Sequence, residues 1–288
     1  MTDRRVPEAL DAQGLADWLE TMLLLQPGVP IGAASFNERT YGHHRLTSAD
    51  LNLAHNAMDR RSRLLGSAYP FVVQSVGAVA RSDAALSSYA ALLLLAVPDA
   101  PFRRSGPELS DGAELFERIT SAAVRGLFGP ETQSLRFAWP SEEGRPSGFP
   151  EAVKWLAERM RIPLGTAFRP PRRQDGGVDV IAWRSFADTM PGFPILLAQC
   201  TIERDFVHKA ADVDTRLWSG WLRLDVDPLT ALAIPFVLPP GEDWNEMASR
   251  TLVLDRLRLM RLLGVEGGST IASVAEWTSA QLELLRLE

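Results

Sequence analysis

The fold is decided by two short stretches: residues 174–183, which read Q-D-G-G-V-D-V-I-A-W, and residues 196–201, which read L-L-A-Q-C-T. Both contain compact apolar or β-branched runs that are typical of strands. The connecting segment, residues 185–193, contains Asp188, Pro191 and Gly192, which favour turns. The pattern therefore predicts an antiparallel hairpin.

A symmetric hairpin would place Asp179 opposite Gln199, because residue 189, midway between them, lies in the middle of the loop. Directly opposed residues point to the same face of a sheet, and alternation adds Thr201 to that face. A carboxylate on an apolar strand is costly unless it is paired or binds a cation. With the amide oxygen of Gln199, Asp179 offers ligands suited to Mg²⁺. The two preceding glycines are expected to leave room for a phosphate backbone.

Outward from this hairpin the chain is mixed. Helical periodicity predicts helices over 8–25, 47–66 and 84–97, so residues 1–105 are expected to form an all-helical regulatory or partner-binding domain. A helix capped at Ser110 or Asp111 opens the second domain, residues 106–288, which reads α-α-β-β-α-β-α-α. The predicted fold class is α/β (α+β). The apolar run 69–80 is ambiguous between helix and strand.

Composition bears on the partners of the protein and on its location in the cell. The net charge of −6 argues against indiscriminate coating of nucleic acid, although a local basic groove is compatible with it. A single cysteine, Cys200, cannot form an internal disulfide. The polar N-terminus lacks the apolar core of a signal peptide, and the longest apolar run, 89–97, is too short for a membrane span. We therefore expect a cytoplasmic protein.

Several classes of enzyme are disfavoured by missing motifs. The sequence has no phosphate-binding glycine-rich loop, no dinucleotide fingerprint and no nucleophile elbow. The pair His43-His44 is interpreted as part of a solvated loop rather than a metal site. Lysine is rare: Lys154 and Lys209 stand among 30 basic residues.

The D-G-G-V-D motif, followed after about twenty residues by a strand ending in Q-C-T, resembles the PD-(D/E)XK nuclease superfamily, and within it the Mrr-like restriction endonucleases. The resemblance implies a restriction-endonuclease-like αβββαβ core. It implies that Asp179 and Gln199 bind Mg²⁺ or Mn²⁺, and that Glu117, on the preceding helix, supplies a further carboxylate. It covers roughly residues 110–240.

The sequence departs from the family at its lysine, because Thr201 stands in that position. In this superfamily the lysine sometimes migrates to a neighbouring helix, and Lys209 is the candidate here. The alternative is an ordinary Asp205–Lys209 pair, four residues apart on a solvated helix. Both interpretations remain open at the level of sequence.

Other residues also have two interpretations. Asp175 and Asp179 are either site residues or turn-forming residues at a strand entrance. Cys200 is interpreted as a small buried hydrophobe rather than a nucleophile. Three arginines lead into the hairpin and are candidates for phosphate contacts, although such a loop is often only solvated: Arg169, Arg172 and Arg173.

These features predict a metal-dependent endodeoxyribonuclease, with Asp179, Gln199 and Lys209 as catalytic residues. The resemblance points to restriction or phage (antiviral) defence, with DNA as substrate and a protein partner or homo-oligomer. The alternative is a catalytically inactive nuclease-fold scaffold, or a DNA-binding subunit of a larger complex.

Overall fold

The computed structural model describes residues 11–32, 47–74, 77–141, 144–166, 169–171, 175–267 and 272–287. The chain divides into two compact units. The first comprises Met1–Leu115, Pro235–Pro239 and Gly264–Glu288, and the second comprises Phe116–Ile234 and Pro240–Leu263. This division differs from the predicted boundary at residue 105, because the chain returns to the first unit after completing the second.

Helices dominate the first unit, and their positions agree with the periodicity of the sequence. Thr47 begins the second of them with a capping box, in which its hydroxyl accepts from the Asp50 amide and the Asp50 carboxylate accepts from the Thr47 amide. Such reciprocal bonds satisfy donors that a helix start leaves open. The helices are α1 (Ala12–Leu25), α2 (Ser48–Leu65), α3 (Ser88–Ala96) and α9 (Ala272–Leu287).

The first unit is not all-helical, which corrects the prediction. Strands β1 (Phe71–Gln74) and β2 (Gly77–Ala80) form a separate antiparallel sheet of two strands. The reason lies in the residues, since Phe71 is buried while the next residue, Val72, is exposed, as strand alternation requires. Among the described residues before position 105, none joins the larger sheet.

The second unit holds the larger sheet and its helices. Three strands were expected here, and two further short ones escaped prediction: β3 (Gln133–Arg136) and β7 (Leu252–Leu254). The expected strands are β4 (Val180–Trp183), β5 (Ile195–Cys200) and β6 (Leu229–Ala233). The helices wholly within this unit are α5 (Phe149–Met160), α6 (Thr215–Trp221) and α7 (Glu242–Ala248). Two further helices, α4 (Gly106–Val124) and α8 (Arg256–Gly267), have residues in both units.

Several predicted boundaries move. Helix α4 begins four residues before the expected cap at Ser110. The helix expected over 203–222 is instead a 3₁₀ helix, Val207–Ala211, followed by the separate α6. The helix expected over 243–263 is interrupted by β7.

The strand order in the large sheet is β3-β4-β5-β6-β7. Strands β3, β4 and β5 pair antiparallel, whereas β5 with β6 and β6 with β7 are parallel. A mixed sheet with helices before, between and after its strands confirms the α+β class.

An apolar cluster on one face of the sheet holds the second unit together. Side chains of β3, β4 and β5, including Leu135, Ile181 and Leu197, pack with α5 and with the two tryptophans of α6. Trp218 is fully buried, and its ring meets Phe149 edge-on at 6.3 Å between centroids. The strand ends that carry the predicted site are therefore attached to a closely packed core.

Candidate functional site

The pairing of β4 with β5 positions Asp179. The register of the two strands ends with Val180 opposite Ala198; Asp179 precedes this pair by one residue and Gln199 follows it by one, and their predicted pairing stays a prediction. The Asp179 amide donates to the Ala198 carbonyl at 2.9 Å, and the Asp179 carbonyl accepts from the Phe137 amide at 2.7 Å. The backbone of Asp179 is thus held from both sides, immediately before β4 begins.

The Asp179 carboxyl group lies in an environment that disfavours its charge. Burial is the largest cause, and the nearby charges of Glu117 and Asp175 add to it, raising the pKa of Asp179 to about 8. The Cys200 amide, which donates to Asp179 Oδ2 at 2.7 Å, and the charge of Lys209 act in the opposite direction. A divalent cation beside this group would favour its ionised form.

Glu117 lies on α4 and its charge acts on Asp179, but it has a protein partner. Its Oε2 accepts from Arg136 Nε at 2.5 Å, and both side chains are largely buried. Arg136 belongs to β3 and lies opposite Val180. The carboxylate of Glu117 therefore influences Asp179 electrostatically while it is paired with an arginine.

Gln199 presents an oxygen in a buried position. The side chain is 4% exposed, and its Nε2 donates to Asp212 Oδ2 at 3.2 Å. Because an ionised carboxylate only accepts hydrogen bonds, Asp212 fixes which end of the amide faces it. The other end, Oε1, is buried and has no hydrogen-bond partner within the described parts of the chain. Such an oxygen is a suitable ligand for a hard cation.

Lys209 lies close to Thr201, the position at which the nuclease resemblance implies a lysine. Its Nζ donates to the Thr201 hydroxyl at 3.0 Å and lies 2.8 Å from Glu203 Oε2. The alternative surface pair is not the observed arrangement, because Asp205 instead lies 3.3 Å from His208. The ammonium group therefore lies beside Thr201, which follows Gln199 by two residues, just past the end of β5.

The glycines before Asp179 have a different purpose from the predicted one. Gly176 and Gly177 have φ angles of +66° and +77°, which side chains rarely adopt. A Cβ on Gly176 would lie 2.9 Å from the Trp221 ring, and one on Gly177 would lie 3.0 Å from the Asp212 carbonyl oxygen. Both glycines are required by the protein's own packing, so they do not show space for a phosphate. Asp175 forms the turn, since it accepts from the Gly177 amide at 2.7 Å.

The three arginines predicted to contact phosphate are only partly described. Arg169 is exposed, and its carbonyl accepts from Trp221 Nε1 at 2.7 Å. Arg172 and Arg173 lie outside the described residues. The phosphate-contact role of all three therefore stays a prediction.

Cys200 has the properties of an inert thiol. Burial, followed by the charges of Asp179 and Glu117, raises its pKa well above the ordinary thiol value. A thiolate is the reactive form, so this environment is unsuited to nucleophilic chemistry.

Two contributors were missed by sequence reasoning: Asp212, which orients the Gln199 amide, and Glu203, which pairs with Lys209. The signal available was proximity in sequence, since both flank the lysine on the segment after β5. Their roles depend on the turn of that segment, which was predicted as continuous helix.

Comparison with protein-family models, curated proteins and solved structures finds no match to this chain. Within the described residues, no group of three or more His, Cys, Asp or Glu side chains is arranged to hold a metal ion. In the same residues, no helix is both long and apolar enough to cross a bilayer.

Proposed function

We propose that this protein is a Mg²⁺- or Mn²⁺-dependent nuclease that cleaves DNA phosphodiester bonds. The observation that carries the proposal is the position of Lys209, whose ammonium group donates to Thr201 at 3.0 Å. The lysine that the family places on this strand is thereby supplied from the neighbouring 3₁₀ helix. The biological setting to which the resemblance points is restriction or phage defence.

Asp179 and Gln199 are the residues that would hold a magnesium ion. Asp179 supplies a carboxylate, and Gln199 supplies a buried amide oxygen without a hydrogen-bond partner among the described residues. Magnesium is commonly held by one or two protein oxygens, with water and substrate phosphate completing its shell. When bound, the ion would polarise the phosphodiester and favour ionisation of a water molecule.

The chain's own groups then have separate tasks. Asp179 must be ionised, although its pKa of about 8 keeps it largely protonated near neutral pH without a cation. Lys209 places a positive charge where negative charge accumulates as the phosphodiester is attacked. Asp212 accepts from the amide nitrogen of Gln199, which leaves the amide oxygen as the group that would bind the proposed ion.

The order of elements adds support. Helix α4 precedes β3, β4 and β5, and α6 precedes β6, which is the αβββαβ order apart from the inserted helix α5. Exposed Arg169, with Arg172 and Arg173, would provide phosphate contacts on the segment that leads into the site.

The alternative is an inactive nuclease-fold scaffold or DNA-binding subunit, and one contact favours it. Glu117 is engaged by Arg136 at 2.5 Å, so the second of the two predicted carboxylates is neutralised by a protein cation. Without it the site has a single unpaired acidic ligand, which would bind metal weakly.

Incubation of the purified chain with supercoiled plasmid, in Mg²⁺, Mn²⁺ or EDTA, tests the activity. Asp179→Ala and Lys209→Ala are each expected to lower the metal-dependent cleavage rate by about 10²–10³-fold. Lys154→Ala is the matched control, because Lys154 is the chain's other lysine and is exposed on α5. The scaffold alternative would be established if the wild-type protein binds DNA but does not cleave it with any of the divalent metals added.

A rescue experiment isolates the lysine. The double variant Thr201→Lys, Lys209→Ala carries its lysine at position 201 instead of 209. Its cleavage rate is expected to be at least tenfold higher than that of Lys209→Ala. If Asp179→Ala loses activity and Lys209→Ala keeps full activity, the proposed nuclease activity stands and the proposed role of Lys209 is wrong.

A further inference from the structure

A cavity of about 300 Å³ lies in the second unit, away from the strand ends that carry Asp179. Its walls come from the end of α5 and from the loop between β4 and β5. Strand β4 separates this loop from Asp179 by four residues, about 13 Å at roughly 3.3 Å per residue. The volume is at the lower end of the range for small-molecule sites.

The lining combines apolar surface with positive charge. Phe186 and Met190 are 49% and 62% exposed and lie together at this cavity. Two arginines, Arg161 and Arg223, lie at the same cavity. Asp225 also lines it, but its Oδ1 is 3.9 Å from Arg223 Nε, so the pair is loose.

Two residues of the cavity have left-handed backbone conformations. Arg161 and Thr189 have φ angles of +57° and +59°, and they are the two non-glycine residues with positive φ in the described chain. Both line this cavity. Arg161 is the left-handed cap of α5, a common helix end. The β-branched Thr189 rarely adopts this conformation, and residues held in it cluster at ligand sites.

The loop between β4 and β5 is held by hydrogen bonds of its own. The Thr189 amide donates to the Phe186 carbonyl at 3.2 Å, and the Met190 amide donates to Asp188 Oδ1 at 3.1 Å. These bonds fix the turn that presents Phe186 and Met190 to the cavity, so the site is formed without a ligand.

We infer that this cavity binds a small amphipathic anion, with a flat apolar body against Phe186 and Met190 and a carboxylate or phosphate group between Arg161 and Arg223. Arginine suits this task because its planar group donates in parallel to two anionic oxygens. The inference does not depend on the proposed nuclease activity.

Titration of the full chain with 1-naphthyl phosphate, 1-naphthoate and neutral 1-naphthol, followed by ligand-observed NMR, tests the site. We expect saturable binding of one or both anions, and weaker binding of the neutral alcohol. The preferred anion distinguishes a phosphate ligand from a carboxylate ligand. Absence of saturable binding by both anions, or equal binding of 1-naphthol, would overturn the inference.

Variants locate the binding. Arg161→Gly and Arg223→Gln are each expected to weaken anion binding by about two- to fivefold, and Met190→Glu by about fivefold or more through charge repulsion. Arg161→Gly suits its left-handed position, so the fold should be retained, with unchanged thermal unfolding. Arg216→Gln is the control, since Arg216 is exposed on α6 and outside the cavity. An equal loss in Arg216→Gln, or none in the other variants, would place the binding elsewhere.

Discussion

Asp179 is the residue whose charge depends most directly on its surroundings. Its ordinary carboxyl pKa of 3.8 rises to about 8 in the folded chain, with burial as the first cause. Between these two values the folded protein retains a proton that the unfolded chain has released. Folding stability is therefore highest at low pH for this group and falls as pH rises from about 4 to about 8.

Asp179→Asn removes this dependence while leaving an oxygen to accept from the Cys200 amide. We expect the variant to match the wild type near pH 4 and to be more stable at pH 8, by on the order of 5 kcal/mol at most, since one pKa unit corresponds to about 1.4 kcal/mol. Urea denaturation at pH 4, 6 and 8 in EDTA measures the difference. Parallel stability profiles for the two proteins would show that Asp179 titrates normally.

At the scale of elements, the turn before β4 depends on Gly176. Its φ of +66° is combined with close packing against Trp221 and Phe149, whereas Gly144 has a similar φ of +77° and open space where a Cβ would lie. The two glycines therefore separate the cost of backbone strain from the cost of crowding.

Gly144→Ala is expected to lower the free energy of unfolding by about 1 kcal/mol, from backbone strain alone. Gly176→Ala should lower it by about 2–4 kcal/mol, because overpacking adds to the same strain. Chemical denaturation of both variants measures this. Equal losses would mean that Trp221 and Phe149 yield without cost.

The elements that sequence reasoning found are those with a clear period or flanking turns, such as β4, β5 and α2. The antiparallel pairing of β4 with β5 followed from the turn residues between them. Strand β3, with the sequence Q-S-L-R, has no apolar run, and β7 has only three residues within an apolar segment. Short strands of this kind are specified by their neighbours in the sheet rather than by their own residues.

The site was predictable only in part, for a similar reason. Asp179 and Gln199 were proposed from residue type and spacing, and Lys209 from the nuclease resemblance; their roles stay predictions. The pairing of Glu117 with Arg136, and of Gln199 with Asp212, joins residues distant in sequence or on an irregular segment. Such contacts depend on tertiary packing, which no local pattern encodes.

At the scale of the molecule, the first unit is organised around a buried ionic network. Arg61 on α2 is 1% exposed and lies 2.8 Å from Glu20 Oε1 and 2.7 Å from Asp17 Oδ1. The hydroxyls of Tyr69 and Tyr89 donate to the two oxygens of Glu20. This network connects α1, α2, α3 and the approach to β1.

Arg61→Met is expected to lower the free energy of unfolding by about 3–5 kcal/mol, because Glu20 would remain buried without its cation. Adding Glu20→Leu should recover part of that loss. Arg63→Met is the control: Arg63 is on the same helix, and its ion pair with Asp59 is exposed, so the loss should stay below about 1 kcal/mol. Urea denaturation followed by circular dichroism measures all three; equal losses for Arg61 and Arg63 would contradict the network's importance.

The return of the chain to its first unit has a consequence for synthesis on the ribosome. Residues 264–288 supply α9, whose Trp277 meets Phe102 edge-on at 5.4 Å and whose Arg286 donates to the Leu25 carbonyl. Domains fold as units while the chain is being made, in the order in which their parts emerge. The second unit has all its residues once position 263 is translated. The first unit still lacks α9 at that stage, although its early helices have already been synthesised. The first unit, whose synthesis begins first, is therefore expected to complete its fold after the second unit.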